Sequence, residues 1–211
     1  QSYSYEDFIQ GYRPDEDSFK LVNGIFYSFC EKAKSNPDDK YFFIIDEINR
    51  GNLSKIFGEL MMLIEADKRG PNNQIALTYS KKEERFYVPE NVHIIGTMNT
   101  ADRSLSIVDY ALRRRFSFIN LIPNFNDKFE SFLAKKGISK KTIGSIISKI
   151  SSLNEEIEND DSLGDGFKIG HSYFCNTPED GTNEKDWLND IISFELSPIL
   201  YEYWFDNKDK A

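Results

Sequence analysis

Cysteine and histidine are scarce in this chain, with two of each among 211 residues. Cys30 and Cys175 lie far apart and make no metal-type spacing with His93 and His171, so no thiolate metal site is indicated and a reducing cytoplasm fits the usage. Long apolar runs are missing too. The longest, around Tyr41 to Ile45 and Ile191 to Phe194, fall far short of the ~20 residues that a membrane-spanning helix requires. Residues 1–10 lack the basic, apolar and small-residue succession of a signal peptide. Basic residues are outnumbered, 26 Lys and Arg against 35 Asp and Glu, for a formal net charge of −9. A surface this acidic repels phosphate backbones, which excludes autonomous duplex binding unless the basic residues gather on one face. Any nucleic acid is then held by another domain or subunit.

What remains is the composition of a folded protein: 39% hydrophobic, 14% aromatic and 29% charged residues. The length allows one medium domain, or a larger domain with a small appendage, and the patterning favours two lobes. Apolar residues recur at helical spacing from Ile25 to Lys34, and Asn36-Pro37-Asp38-Asp39 stops that helix. Tyr41 to Ile45 is a continuous β-prone run, expected to be a strand buried on both faces and ending in Asp46-Glu47. Phe57, Leu60, Met61 and Ile64 mark one face of a helix that stops near Arg69-Gly70-Pro71. Ile75 to Tyr79 and Arg85 to Val88 read as a hairpin. Val92 to Met98 is a second buried strand ending in Asn99, and a short helix from about Leu105 to Leu112 leads through Arg113-Arg114-Arg115 into a third, Phe116 to Ile122.

Alternating strands and helices predict an α/β lobe whose functional residues collect at the carboxyl ends of the strands. The first lobe is expected to span residues 1–123. From 124 to 211 the pattern turns helical, with Ile143, Ile146, Ile147, Ile150, Leu153 and Ile157 on one face, and predicts a small helical bundle. Its last helical stretch, from Lys185, is expected to break at Ser197-Pro198, with Ser as N-cap and Pro at the first helical position.

Three strand-end features carry chemistry. Asp46 and Glu47 are adjacent carboxylates fixed by a buried strand; one can hold a hydrated Mg²⁺ while the other orients an attacking water. The plainer alternative is a pair of acidic residues capping a strand. Asn99 can align a water or a phosphate without competing for metal, or it can simply close an Asx-turn. Arg113, Arg114 and Arg115 can complement the negative end of their helix, or offer guanidinium groups to phosphate oxygens.

At this point the chain resembles a known family. Phe42 to Arg50, Ile95 to Ser104 and Ala111 to Phe116 are similar to the Walker B, sensor I and arginine-finger segments of the McrB family of AAA+ nucleoside-triphosphatases. Asn52-Leu53-Ser54-Lys55 and Ile169 to Phe174 extend the likeness to nearly the whole chain. The resemblance implies a metal role for Asp46 through water, a water-activating role for Glu47 and a sensor role for Asn99. It also implies that Arg114 or Arg115 acts across a subunit interface. Arg103 and Arg113 become candidate nucleotide-binding groups. So does His171, at the position where many AAA+ proteins place a phosphate-facing residue, although a turn histidine packed on aromatic neighbours explains it as well. The cofactors implied are Mg²⁺ with GTP or ATP. The implied partners are further copies in a ring and an McrC-like nuclease subunit, with DNA reached only through other domains or subunits.

One required element is missing from the sequence. A phosphate-binding loop ends in Gly-Lys-Ser/Thr, and none of the 12 glycines here is followed by lysine. In the resembled family that loop lies upstream of Ser2 to Phe8, so the chain is expected to be a fragment that lacks the loop and the first sheet strand. Three other readings compete. One is a MoxR-like ATPase that remodels proteins, and another is an interaction module that kept the fold without turnover. The third is a metal-dependent nuclease, disfavoured because the neighbouring strand ends in Asn99 rather than a further carboxylate.

Overall fold

The computed structural model describes residues 3–81, 83–99, 101, 110–178 and 183–205. Contacts divide the chain into two units, Gln1–Phe118 and Ile119–Ala211, so the division falls slightly before the expected boundary at 123.

The first unit opens with a short helix α1 (Tyr5–Phe8), capped by the Ser4 hydroxyl, which accepts the Asp7 N–H at 3.2 Å. Strands β1 (Gln10–Asp15) and β2 (Ser18–Asn23) follow as an antiparallel hairpin. Sequence patterning did not indicate this hairpin, because Pro14 and the acidic run Asp15-Glu16-Asp17 obscure its alternation. Helix α2 (Ile25–Lys34) spans the predicted residues and buries Phe26, Cys30 and Ala33. Burial pushes the Cys30 thiol up to about 12, so it behaves as a small apolar residue.

Strand β3 (Tyr41–Ile45) pairs in parallel with β4 (Val92–Gly96), in register from Tyr41 opposite Val92 to Ile45 opposite Gly96. Tyr41, Phe43 and Ile45 pack onto the core formed with Phe8, Phe26 and Phe57. Rings meet there edge to face, Phe43 with Phe26 at 5.1 Å and Phe8 with Phe57 at 4.8 Å, a favoured aromatic geometry. The alternate residues face outward. Phe42 and Ile44 are exposed, Ile44 to 65%, so β3 is buried on one face and not on both. The helices of this unit contribute to a single cluster, and only one side of the two strands joins it.

Helix α3 (Leu53–Phe57) is capped by Asn52 and is shorter than predicted. It stops at Gly58, whose φ of 51° suits glycine, and a 3-10 turn carries Gly58–Met61 onward. Phe57, Leu60, Met61 and Ile64 are nonetheless all buried, as their spacing predicted. The predicted hairpin at 75–88 is reduced to one antiparallel bridge, Ile75 with Phe86. Of the short helix before the arginines, α4 (Tyr110–Arg113) is described; residues 102–109 lie outside the described residues.

The predicted third strand is not formed. Phe118, Ile119, Leu121 and Ile122 are exposed, Leu121 to 90%. Among the described residues β4 pairs only with β3, so an apolar extended segment has no ladder to complete and its backbone gains nothing by straightening.

The second unit is helical, as predicted. Helices α5 (Asp127–Lys135) and α6 (Lys140–Glu158) are N-capped by Asn126 and Ser139, and Ile143, Ile146, Ile150 and Ile157 of α6 are buried against Phe129, Leu133, Phe174 and Trp187. Buried Asn154 mimics a strand partner: its Oδ1 accepts the Ile169 N–H at 2.6 Å and its Nδ2 donates to the Ile169 carbonyl at 3.0 Å. Helix α7 (Glu184–Asp190) does not break before Pro198. A π-helical stretch, Ile191–Leu196, runs without interruption into α8 (Ser197–Tyr203). Ser197 has helical dihedrals, and its N–H donates to the Ile192 carbonyl five residues back, so it continues the helix. The wider turn removes the need for the i→i−4 bond that proline cannot donate, so the helix passes through instead of restarting.

Candidate active site

The carboxyl ends of β3 and β4 lie side by side, and the next residues of each strand are tied together. Ile48 donates its N–H to the Thr97 carbonyl at 2.8 Å, and Thr97 donates its own to Ile45 at 3.0 Å. Gly96 packs closely under Ile48, since a β-carbon on it would approach the end of the Ile48 side chain to 2.6 Å. Ile48 thereby joins the end of β4 through both its N–H and its side chain.

Thr97, which sequence reasoning did not single out, organises the acidic pair. Its hydroxyl donates to Asp46 Oδ1 and accepts the Glu47 N–H at 3.2 Å. Glu47 is left-handed, with φ 52° and ψ 50°, a conformation that costs a non-glycine residue about 1–3 kcal/mol. The Thr97 bonds oppose that cost, as does the ion pair from Arg50 Nε to Glu47 at 3.0 Å. The left-handed turn separates the two carboxylates: Asp46 is directed to Thr97 and Glu47 to Arg50. Both remain exposed, so water and ligand reach them.

Asn99 joins the same end. Its carbonyl accepts from Asn49 Nδ2 at 3.3 Å, and its side-chain Oδ1 accepts the Ala101 N–H at 3.0 Å. The Asx-turn is therefore present, and it uses the side-chain oxygen. β3 and β4 are parallel neighbours, as predicted, so the strand ends that carry Asp46, Glu47 and Asn99 lie side by side. Thr97 and Asn49 were missed because a threonine and an asparagine in a polar loop carry no distinctive spacing.

The three arginines diverge. Leu112 and Phe116 turn inward to the core, and the Arg115 and Phe116 N–H groups both bond the Leu112 carbonyl. Arg115 follows them: its side chain is only 7% exposed, with Nε 2.9 Å from a Glu65 carboxylate oxygen. Arg113 and Arg114 are exposed. Arg103 lies outside the described residues.

His171 belongs to the second unit. Its Nδ1 accepts the Asn124 N–H at 3.1 Å, and its ring meets Phe125 and Phe129 edge-on at 6.2 and 6.1 Å. It is thus packed on aromatic neighbours, the plainer of the two readings its sequence allowed. Among the described residues no three His, Cys, Asp or Glu side chains converge as a metal cluster, and no helix is long and apolar enough to cross a membrane.

Residues 1–116 match the family described as AAA domain (dynein-related subfamily), and residues 145–211 match the McrB alpha-helical lid domain. The chain is 58% identical over its whole length to the type IV methyl-directed restriction enzyme EcoKMcrB subunit of Escherichia coli (strain K12), and covers 47% of that protein. Over 128 residues, 56% of this chain and 37% of the relative, it is 30% identical to the type II restriction enzyme BsuMI component YdiS of Bacillus subtilis (strain 168). It thus spans about half or less of the relatives it matches. An AAA domain over more than half of the chain, an McrB lid behind it and high identity throughout place this protein in the McrB family of AAA+ proteins.

Proposed function

We propose that this chain is the catalytic strand-end and lid portion of a AAA+ nucleoside-triphosphatase that powers a McrBC-like, modification-dependent restriction system. The observation that carries the reading is the Thr97-centred arrangement, in which one hydroxyl fixes two adjacent carboxylates in different directions. That separation suits two tasks. Asp46, held by Thr97 but open to solvent, would hold a hydrated magnesium ion, a hard cation served by one carboxylate. The ion would neutralise charge on the phosphates. Glu47 orients and deprotonates the attacking water, with Arg50 holding its carboxylate until substrate arrives. Asn99 stands beside them, its side-chain oxygen engaged by Ala101 and its amide nitrogen suited to a phosphate or water oxygen.

Arg114 is the group offered to a neighbouring copy, because it is exposed where Arg115 is not. An arginine supplied in trans accelerates hydrolysis by roughly 10³ to 10⁵, so the active form is a ring or at least an ordered pair. The Gly-Lys-Ser/Thr loop comes from polypeptide outside these 211 residues, as do the partner nuclease and the DNA-reading surface. The nucleotide is GTP or ATP.

Single-turnover hydrolysis by the loop-bearing protein tests the reading. Glu47→Gln should leave nucleotide affinity nearly intact and slow hydrolysis by roughly 10² or more. Unchanged hydrolysis would remove Glu47 from the chemistry.

A further inference from the structure

We infer that Glu65 is a positioning residue for the trans-acting arginine: it anchors Arg115 and thereby sets where Arg114 points. The inference rests on the nucleotide-hydrolysis reading above and assigns a role to a side chain outside the strand-end cluster. Three observations carry it.

First, the arginine-bearing turn is gripped from inside the unit. Leu112 is buried, Phe116 packs on the core, and between them the Arg115 guanidinium is drawn inward onto Glu65. A guanidinium with so little exposure needs a counter-charge to stay there. Second, the alternation is sharp. Positions 112, 115 and 116 face in and positions 113 and 114 face out, so fixing Arg115 fixes the direction in which its neighbour leaves the surface.

Third, Glu65 is itself referenced to the catalytic strands. It lies between buried Ile64 and the 3-10 turn Ala66–Lys68. Four residues on, the Arg69 guanidinium donates to the Ile64 carbonyl, at 2.8 Å from one nitrogen, and also to the Val92 carbonyl at the start of β4. Strand β4 carries Thr97 and Asn99 at its other end. Arg69 bonds the Val92 and Ile64 carbonyls, Ile64 is joined in the chain to Glu65, and Glu65 is ion-paired with Arg115, so the arginine turn is tied to the strand that holds the subunit's own catalytic end. Such a strut keeps the arginine at one height relative to its own sheet, which matters because a displacement of about 1 Å can cost roughly 10²-fold in rate.

The test uses the full-length, loop-bearing protein in its assembled form. Glu65→Gln removes the charge and keeps the shape. We expect nucleotide KM to change little and kcat to fall about 10²-fold. Because the lesion would be delivered to a neighbour, mixing Glu65→Gln subunits with Glu47→Gln subunits should restore hydrolysis. An interface between the two has an intact Glu47 on one side and an intact arginine turn on the other. A purely internal structural defect would not be complemented in this way.

Arg115→Lys, which retains a cation but shortens its reach, should fall in the same complementation class and serves if Glu65→Gln does not assemble. Full activity in both variants, or no recovery in the mixtures, overturns the assignment. If Glu47→Gln alone leaves hydrolysis intact, the underlying hydrolysis reading has failed instead, and the two failures are separable within one set of assays.

Discussion

Removing a single hydroxyl should dismantle the proposed catalytic end. In Thr97→Val the side-chain shape is kept, but Asp46 Oδ1 loses a donor and the Glu47 N–H loses its acceptor. Each such bond contributes about 1 kcal/mol net. The site is exposed and water replaces part of the loss, so the stability cost is about 1–2 kcal/mol. The functional cost is larger. Left-handed Glu47 carries about 1–3 kcal/mol of backbone strain, and without Thr97 its N–H no longer rewards that conformation. The residue then relaxes toward an ordinary turn and its carboxylate leaves the place where water is activated. We expect urea unfolding to report the small loss, and single-turnover hydrolysis in the loop-bearing protein to slow by roughly 10²-fold. Thr97→Ser keeps the hydroxyl and should retain most of the rate. A valine variant that hydrolyses nucleotide at the parent rate would show that the Thr97 hydroxyl does not position Glu47.

Two further predictions concern the helical unit. Asn154→Ala leaves the buried Ile169 N–H and carbonyl without partners, at about 1–3 kcal/mol for each orphaned group. Urea unfolding should therefore show a loss of about 2–6 kcal/mol, and a change of only a few tenths would show that the pairing is not what holds this loop. Glu184 accepts from the Thr142 hydroxyl at 2.6 Å and from the Ser139 hydroxyl and N–H at 2.8 Å each. These bonds, Thr142 first, lower its pKa from the usual carboxylate value. A lowered folded-state pKa means the stabilisation is full above the unfolded value and disappears as pH falls through the folded one. Thermal unfolding of Glu184→Gln should consequently show a shallower acid-side decline than the parent, and identical declines would exclude the contribution.

The sequence was most legible where one face of an element is apolar and its end is polar. Helix α2 and the pairing of β3 with β4 were predictable because Phe26, Cys30 and Ala33 recur at helical spacing and the two β-prone runs end in complementary groups. The α/β order followed by a helical unit was legible for the same reason. What failed depended on partners remote in sequence. Phe116 to Ile122 has strand composition, yet a strand exists only beside another, and β4 has none on its second edge among the described residues. The same reasoning explains why Phe42 and Ile44 are exposed although their run looked doubly buried.

Local geometry hid other features. The β1–β2 hairpin contains Pro14 and turns through acidic residues, and the π-helical stretch before Pro198 leaves no mark in side-chain periodicity. The neighbouring strand ends that carry Asp46, Glu47 and Asn99 were legible from the two β-prone runs. Thr97 was not, since its part depends on Glu47 adopting a left-handed backbone that no residue type announces. The division of labour among Arg113, Arg114 and Arg115 was equally hidden, because only packing decides which of three consecutive arginines turns inward to Glu65.

As the metal and water side of the proposed nucleotide-hydrolysis site, these residues depend on a Gly-Lys-Ser/Thr loop for phosphate affinity. By themselves Asp46 and Glu47 repel a polyphosphate, and a net charge of −9 adds an unfavourable long-range field. The attraction has to come from a lysine and from backbone amides at a helix N-terminus. Calorimetric titration of GTP and of ATP, each with Mg²⁺, onto the 211-residue chain and onto the loop-bearing protein is the direct measurement. The proposed site is expected to show no tight binding in the chain alone and clear binding of one nucleotide once the loop is present. Tight binding to the isolated chain, or none to the loop-bearing protein, would contradict that expectation.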